Sequence, residues 1–338
     1  MYIKIYEIIK KYIVDNYKFI LFLTIIFLVM TYEFPYYVNT PGGLINLNDK
    51  IKIENSYNSE GTINLSYVLE RKATLSTLLI AKFNKDWSVI KKEEVVAINE
   101  NENDVVFRDK MLLEEANDYA TIVAFSKLNK NVNINENHVY VTYVDEDVNS
   151  DLKIGDEILE VNNIKINSKE QLLNIIRGYS VNDILNIKVI NNNKYSVKKA
   201  KLKEENGKVM IGILITEDLK FETNPNINFE FSFNESGPSG GLMETLYIYN
   251  ALTKGDITKG LTIVGTGTID KNGNVGSISG VEFKLKGAVK KDADIFFVPN
   301  GENYEEAIKI KQKMNYDIQV KGVDSFDEVI DYLNNLQL

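Results

Sequence analysis

The period of hydrophobic and polar positions changes several times along the chain, and each change marks an element. Phe19–Met30 reads FILFLTIIFLVM, apolar except for Thr24, and the stretch extends from Tyr17 to Phe34 as about 18 residues. That is near the lower limit for crossing a hydrocarbon core, which takes about 17–25 residues. Beyond it, Lys50–Ile53, Ile63–Val68 and Ala81–Phe83 predict short strands, and Glu114–Ser126 predicts a helix. His138–Val144 alternates as a strand does. In Asp151–Tyr179, Leu152, Ile154, Ile158, Leu159 and Val161 supply apolar contacts around Gly155-Asp156, and Asn162-Asn163 makes a turn. A helix follows over Lys169–Arg177, with Ser168 as its N-cap and Gln171 at the capping-box position. Ile184–Val189 and Lys194–Lys198 close a small sheet. A third block starts near Ile211. Its predicted order is strand Phe229–Phe233 (FEFSF), helix Ser239–Leu252, strand Leu261–Ile269, a turn over Asp270–Gly276 and helix Val281–Lys291. Strand Asp294–Val298, helix Tyr304–Lys313, strand Ile318–Lys321 and helix Ser325–Leu336, capped by Asp324 or Ser325, complete an α/β array.

The flanks of the first apolar run decide its reading. Tyr17, Tyr32, Tyr36 and Tyr37 border it as interfacial aromatics do. Lys4, Lys10, Lys11 and Lys18 precede it against Glu7 and Asp15, whereas Glu33 follows and no lysine occurs until Lys50. The positive-inside bias therefore predicts a single-pass anchor, N-terminus cytoplasmic and the remainder extracytoplasmic. A buried core helix fits the flanks and end position less well. A cleaved signal peptide lacks its small-x-small site in MTYEFPYYVNT.

Composition then narrows the chemistry. The 338 residues are enough for two or three domains, and 44% hydrophobic content supplies a core. A net charge of −9 without a long basic run disfavours a nucleic-acid partner. The absence of cysteine removes disulfides, thiol nucleophiles and thiolate metal sites. His138 is the single histidine, so a multi-histidine metal site is excluded and a Ser–His triad must use it. No metal or cofactor is expected. No G-x-x-x-x-G-K-[ST] run occurs, so no P-loop for a nucleotide is expected either.

One junction concentrates reactive groups. FEFSF runs through Asn234-Glu235 into SGPSGG, residues 236–241, and then into a helix. A helix N-terminus offers unpaired N–H groups suited to an oxyanion. The glycines let backbone and substrate approach closely. Ser239 stands where a nucleophile would, although an ordinary N-cap serine in a loop reads the same way. A serine nucleophile needs a base. Lys284 lies in GSISGVEFKLKGAV, residues 276–289, three positions after Val281 on the apolar side of a short helix. Burial there would lower its pKa and make it a base. Lys286, Lys290 and Lys291 are expected to face solvent.

Two resemblances follow. The L-x-x-G-D-x-I-x-x-V-N segment from Leu152 and the helix after it resemble a PDZ domain over about 65 residues. That resemblance implies binding of extended peptides by strand addition. Asn135-Glu136-Asn137 carries no glycine where the carboxylate-binding loop is expected before Val139. Residues 210–338 resemble the Lon protease domain. GPSGG carries Ser239, GTGTI resembles the family's M-T-G strand with Thr266 as its threonine, and SGVEFK carries Lys284, 45 positions after Ser239. Val298–Asn300 also fits. Gly240 replaces the usual alanine, Ser279 the first glycine of a Gly-Gly pair, and Ser236 a frequent aspartate. The resemblance implies Ser239 as nucleophile, Lys284 as base, Thr266 as the lysine's orienter and Gly240 as support. By analogy it also implies a homo-oligomer.

The order of anchor, PDZ and protease resembles the YlbL-like membrane-anchored PDZ proteases of bacteria, as does YYVNTPGG. The expected fold class is therefore α/β and α+β multidomain. Its expected parts are cytoplasmic N-terminus and anchor 1–34, extracytoplasmic region 35–125, PDZ-like domain 126–203 and Lon-type proteolytic domain 204–338. The expected function is an ATP-independent serine endopeptidase acting on extracytoplasmic or membrane-proximal proteins. A non-catalytic anchored PDZ scaffold is the alternative.

Overall fold

The computed structural model describes residues 2–337; Met1 and Leu338, which close the first and last expected segments, lie outside the described residues. The chain divides into two compact units, Met1–Pro41 with Val68–Val95, and Gly42–Tyr67 with Val96–Leu338.

Helix α1, Tyr2–Thr31, is apolar and unburied over Lys4–Thr31, and by length and composition it can cross a membrane. It begins well before the predicted span and stops before Glu33, where an extended strand starts and Pro35 disfavours helix at Phe34. The first strands are β1 (Glu33–Asn46), β2 (Ile51–Ile53) and β3 (Thr62–Thr74). YYVNTPGG lies within β1. Gly42 is needed for it: a side chain there would meet the Tyr67 carbonyl and ring within 2.6 Å. Helix α2 (Leu75–Phe83) and strand β4 (Ser88–Lys91) follow, with β4 antiparallel to Tyr36–Asn39. The strand predicted at Ala81–Phe83 is helical. LLIAKF is an apolar run too short for its period to separate helix from strand, and the Thr74–Thr77 capping box settles it.

In the second unit, helix α3 spans Glu102–Lys127. It starts earlier than predicted because Asn101 caps it, accepting from the backbone N–H groups of Asn103 and Asp104. A five-strand sheet follows. Its strands are β5 (Asn133–Val144), β6 (Glu157–Val161, with the short β7, Ile164–Lys165, beside it), β8 (Ile184–Asn191), β9 (Lys194–Lys201) and, after the hairpin β10 (Lys203–Glu205)–β11 (Lys208–Met210), β12 (Ile213–Glu222). The order is β12-β5-β6-β8-β9, and helix α4 (Lys169–Arg177) contributes Leu172 and Ile176 to its core with Val141, Ile158, Ile187 and Ile211. Ser168 caps α4 as predicted, but Gln171 reaches back to the N–H of Asn167. The PDZ-like sheet needs β12, beyond the sequence-based boundary at 203.

The remaining elements are β13 (Ile227–Phe229), α5 (Gly241–Leu252), β14 (Thr262–Gly265), β15 (Thr268–Ile269), β16 (Val275–Gly276), α6 (Val281–Val289), β17 (Ile295–Pro299), α7 (Glu302–Met314), β18 (Gln319–Val323) and α8 (Phe326–Asn335). Strand β14 lies in parallel between β17 and Thr62–Leu65 of β3, and β18 is parallel to β17 on its other side. Alternate residues serve two cores. Ile263, Ile295 and Phe297 join Phe125, Leu246 and Phe326 on one face, while Val264, Phe296 and Val298 join Val281, Leu285 and Ala307 on the other. A strand buried on both faces is continuously apolar, as IFFV is. The first core draws on Leu47, Ile63 and the α3 residues Tyr119–Phe125 as well as on residues 242–333. The fold is thus the expected α/β and α+β combination, and chain from before residue 127 is built into the same core as the last third.

Candidate active site

The serine is set by a strand that stops early. FEFSF pairs only through Phe229, because its partner β2 is three residues long and Glu230 N–H closes the ladder on the Lys50 carbonyl at 2.7 Å. Phe233 is left 84% exposed. Gly237 then turns at φ 92°, where only glycine fits without strain, and its N–H donates to the Asp109 carbonyl on α3 at 3.1 Å. Pro238–Gly240 forms a single tight turn that runs straight into α5. Ser239 sits on that turn, half-buried, at a helix N-terminus.

Three hydrogen bonds clip this turn to the end of β14. The Ser239 carbonyl accepts from Gly267 N–H at 2.9 Å and from Thr266 Oγ1 at 3.0 Å, and Leu242 N–H donates to the Gly267 carbonyl at 3.1 Å. Because Gly267 gives its N–H to Ser239, the strand predicted over Leu261–Ile269 breaks into β14 and β15. The site therefore lies at the carboxyl end of a parallel strand, where open α/β sheets place their ligands.

Lys284 approaches from the opposite layer. Helix α6 starts from Gly280 at φ 74°, and its first turn buries Val281, Lys284 and Leu285 together. Lys284 is 4% exposed, and its Nζ donates to Thr266 Oγ1 at 2.9 Å. Thr266 is fully buried, so its one hydroxyl takes a hydrogen bond from the lysine and gives its own proton to the Ser239 carbonyl. Burial lowers the Lys284 pKa from its ordinary value to about 8. Ser239, Thr266 and Lys284, drawn from separate segments, thus share one hydrogen-bonded chain. The link from Lys284 to the serine runs through its carbonyl; among the described residues Ser239 Oγ makes no hydrogen bond to Nζ. Lys286 corrects an expectation. It is 5% exposed, because its position on α6 also turns inward, and it pairs with Glu282 at 2.7 Å.

The sequence reading missed Glu244. It is fully buried on α5, neither carboxylate oxygen has a hydrogen-bond partner, and burial raises its pKa to about 8. Gly240 explains how it fits: a Cβ at 240 would lie 2.5 Å from Glu244 Oε1 and about 3.1 Å from Leu65 Cδ1. The signal was present in GPSGG itself. The glycine standing for the usual alanine clears the space that the carboxyl occupies.

Two surfaces complete the picture. A cleft of about 920 Å³ runs between α3 and residues 228–236, ending at Ser236, close in sequence to the turn that carries Ser239. Phe229, Phe231 and Phe233 line it with Asp109, Glu114, Asp118 and Asp218. On the PDZ-like module a groove of about 440 Å³ lies between Leu172 and Ile176 of α4 and Met210–Ile215, with Gly212 at φ 88°. Gly212 directly precedes β12, the strand that pairs with β5, whereas Asn135, Glu136 and Asn137 stand before Val139. His138 is on β5, its ring nitrogens 2.6 Å from Glu157 and 3.1 Å from Glu136. No cluster of His, Cys, Asp and Glu suited to a metal occurs among the described residues.

Residues 229–335, which include all of Ser239, Thr266 and Lys284, match the Lon protease (S16) C-terminal proteolytic domain family. The chain is similar to the Lon protease of Campylobacter jejuni, 25% identical over 185 residues, 53% of this chain and 22% of that protein. It is also similar to the Lon protease of Mesomycoplasma hyopneumoniae, 29% identical over 104 residues, 31% of this chain and 12% of that protein. The chain spans about a fifth or less of the length of these curated relatives. Among solved structures, the PDZ domain of an SdrC-like protein from Listeria innocua is 33% identical, covering 23% of this chain and 92% of that one, with a TM-score of 0.22. Its counterpart from Listeria monocytogenes is 28% identical, covering 23% and 85%, with a TM-score of 0.22.

Proposed function

We propose that this chain is a membrane-anchored serine endopeptidase in which Ser239 is the nucleophile and Lys284 its general base. The observation that carries the reading is the buried Lys284–Thr266–Ser239 hydrogen-bonded chain within a stretch that matches a proteolytic domain. Neutral Lys284 takes the proton from Ser239 Oγ as the oxygen attacks a peptide carbonyl. Backbone N–H groups at the start of α5 hold the oxyanion. The leaving amine takes the proton back from Lys284, and an acyl-enzyme remains. Lys284 then deprotonates a water that releases the acid and regenerates Ser239. Thr266 fixes the lysine through the step, and Gly240 lets the carbonyl come close.

Substrate would lie in the cleft beside α3, where Phe229, Phe231 and Phe233 offer apolar contacts for side chains of an extended segment. The sequence carries no P-loop, which supports cleavage without a bound nucleotide, so unfolded or membrane-proximal segments are the natural substrates. The lysines before the apolar stretch of α1 support a cytoplasmic N-terminus and an extracytoplasmic protease. Purified full-length protein with Ser239→Ala or Lys284→Ala should retain its fold and lose turnover of an unstructured reporter polypeptide by at least about 10²-fold. Turnover by either variant at the parent rate would overturn the assignment.

A further inference from the structure

Helix α2 carries an apolar face with nothing against it. None of its residues is buried. Leu79 and Ile80 are about half exposed and Phe83 is 83% exposed. Residues 79, 80 and 83 share one face at helical spacing. Lys82 and Lys85, both exposed, flank it. A cluster of large apolar side chains rimmed by lysines is how an interfacial helix is built, with its ring and aliphatic groups below the headgroups and its ammonium groups among them.

The covalent frame says what covers that face. Strand β3 runs antiparallel to β1, since Thr40 Oγ1 donates to the Leu69 carbonyl and Gly42 lies against Tyr67. The end of β3 therefore returns to the start of β1. There Lys72 pairs with Glu33 at 3.1 Å, two residues past the last residue of α1. Helix α2 begins three residues after Lys72 and packs against α1 within the same compact unit. Helix α1 is about 45 Å long at 1.5 Å per residue, more than a hydrocarbon core of about 30 Å, so its length extends into the headgroup zone.

We propose that α2 lies in the surface of the bilayer that α1 crosses, with Leu79, Ile80 and Phe83 inserted below the headgroups and Lys82 and Lys85 at phosphate level. The proposal rests on α1 as a membrane span. It gives the protein a second, adjacent membrane contact, which fixes how the first unit stands on the lipid and leaves α1 less free to swivel. The occupant is lipid rather than protein because the face belongs to the helix that packs against α1, whose long apolar surface the bilayer already has to cover.

The absence of cysteine makes the test direct, because any introduced thiol is unique. Full-length Phe83→Cys and, separately, Phe22→Cys in α1 are labelled with an environment-sensitive fluorophore. Each is reconstituted in vesicles of phosphatidylcholine and phosphatidylglycerol carrying nitroxide at headgroup or mid-chain depth. The expected result is a blue-shifted probe at 83 quenched at least 2-fold more by headgroup than by mid-chain nitroxide, with the reverse order at 22. Emission at 83 as in water, with 22 still quenched, overturns the proposal and leaves the span standing. A shielded probe at 83 that no lipid nitroxide quenches means that protein covers the face, and also overturns it. If neither position is quenched, the span fails and the proposal with it. Trp87, the single tryptophan, gives a check without an added label: brominated lipid should quench it in the parent protein and less so after Leu79→Ser, Ile80→Ser and Phe83→Ser together.

Discussion

Lys284 and Glu244 are both buried ionisable groups near one turn, and burial moves their pKa values toward each other, to about 8 in each case. For the activity proposed, Lys284 must be neutral to act as base, so kcat/KM should rise through an apparent pKa near 8 and level off above it; a profile flat from pH 6 to 9 would be inconsistent with the proposal. For stability the two signs differ. Glu244 holds its proton in the folded state where the unfolded chain has lost it, so its contribution falls as pH rises from about 4.5 to about 8. Lys284 is neutral in the folded state where the unfolded chain is still charged, so its contribution rises from about 8 to about 10.5. Together they place a trough of stability near pH 8. Glu244→Gln should leave Tm near the parent value at pH 5 and raise it at pH 9, measured by calorimetry. Gly240→Ala should destabilise by about 1–3 kcal/mol through overpacking, because its methyl meets Glu244 Oε1. Adding Glu244→Ala should recover most of that loss, and a double-mutant cycle with no coupling would show that the two residues do not share the space. Motif spacing in the sequence singled out Ser239 and Lys284, which the structure joins through Thr266. It did not reveal Glu244, because a glutamate one turn into a helix looks like a surface residue until its neighbour's missing methyl is noticed.

Glu217 binds elements together. It is 1% exposed on β12 and accepts from Tyr119 of α3 at 2.9 Å, Asn137 of β5 at 3.0 Å and the first N–H of α4, at Lys169, at 2.7 Å. Lys271, in the turn after β15, lies 3.3 Å away. One carboxylate thus joins helix α4 to the turn that follows Thr266 and Gly267. Burial alone would raise its pKa, but the hydrogen bonds and Lys271 outweigh burial and lower it. Its contribution is therefore present above the ordinary glutamate range and lost as pH falls below it. Glu217→Ala should cost about 3–5 kcal/mol by leaving donors and a cation unpaired, read from urea denaturation. A loss under about 0.5 kcal/mol would mean that water replaces the carboxylate. Element type was readable where a period ran long, as over α5 and α8. It was not readable at Ala81–Phe83, where a short apolar run fits either period, nor at Phe231–Phe233, where the strand ends because its partner does.

At the scale of the molecule, the last third of the sequence announced its fold and the first third did not. Leu47, Ile63 and the α3 residues Tyr119–Phe125 enter the same core as Leu246 and Phe326, yet none of them stands in a motif. Strand pairing over some 200 residues, such as Ile63 with Ile263, leaves no local trace in hydropathy. The long apolar helix α1 was legible because a uniform run of that length needs no period to be recognised. The second apolar face on α2 was not, because three side chains on a short helix are unremarkable until their exposure is seen.

One pairing has a consequence for the lineage of the chain. Asn133 opens the PDZ-like sheet and Glu222 closes it, and the two are opposite each other in one antiparallel ladder. The module enters and leaves the chain at a single point, like a parenthesis in a sentence. In connectivity, though not in packing, the module is one excursion between α3 and β13. Recombination can therefore exchange this module while the chain around Ser239 keeps its connectivity.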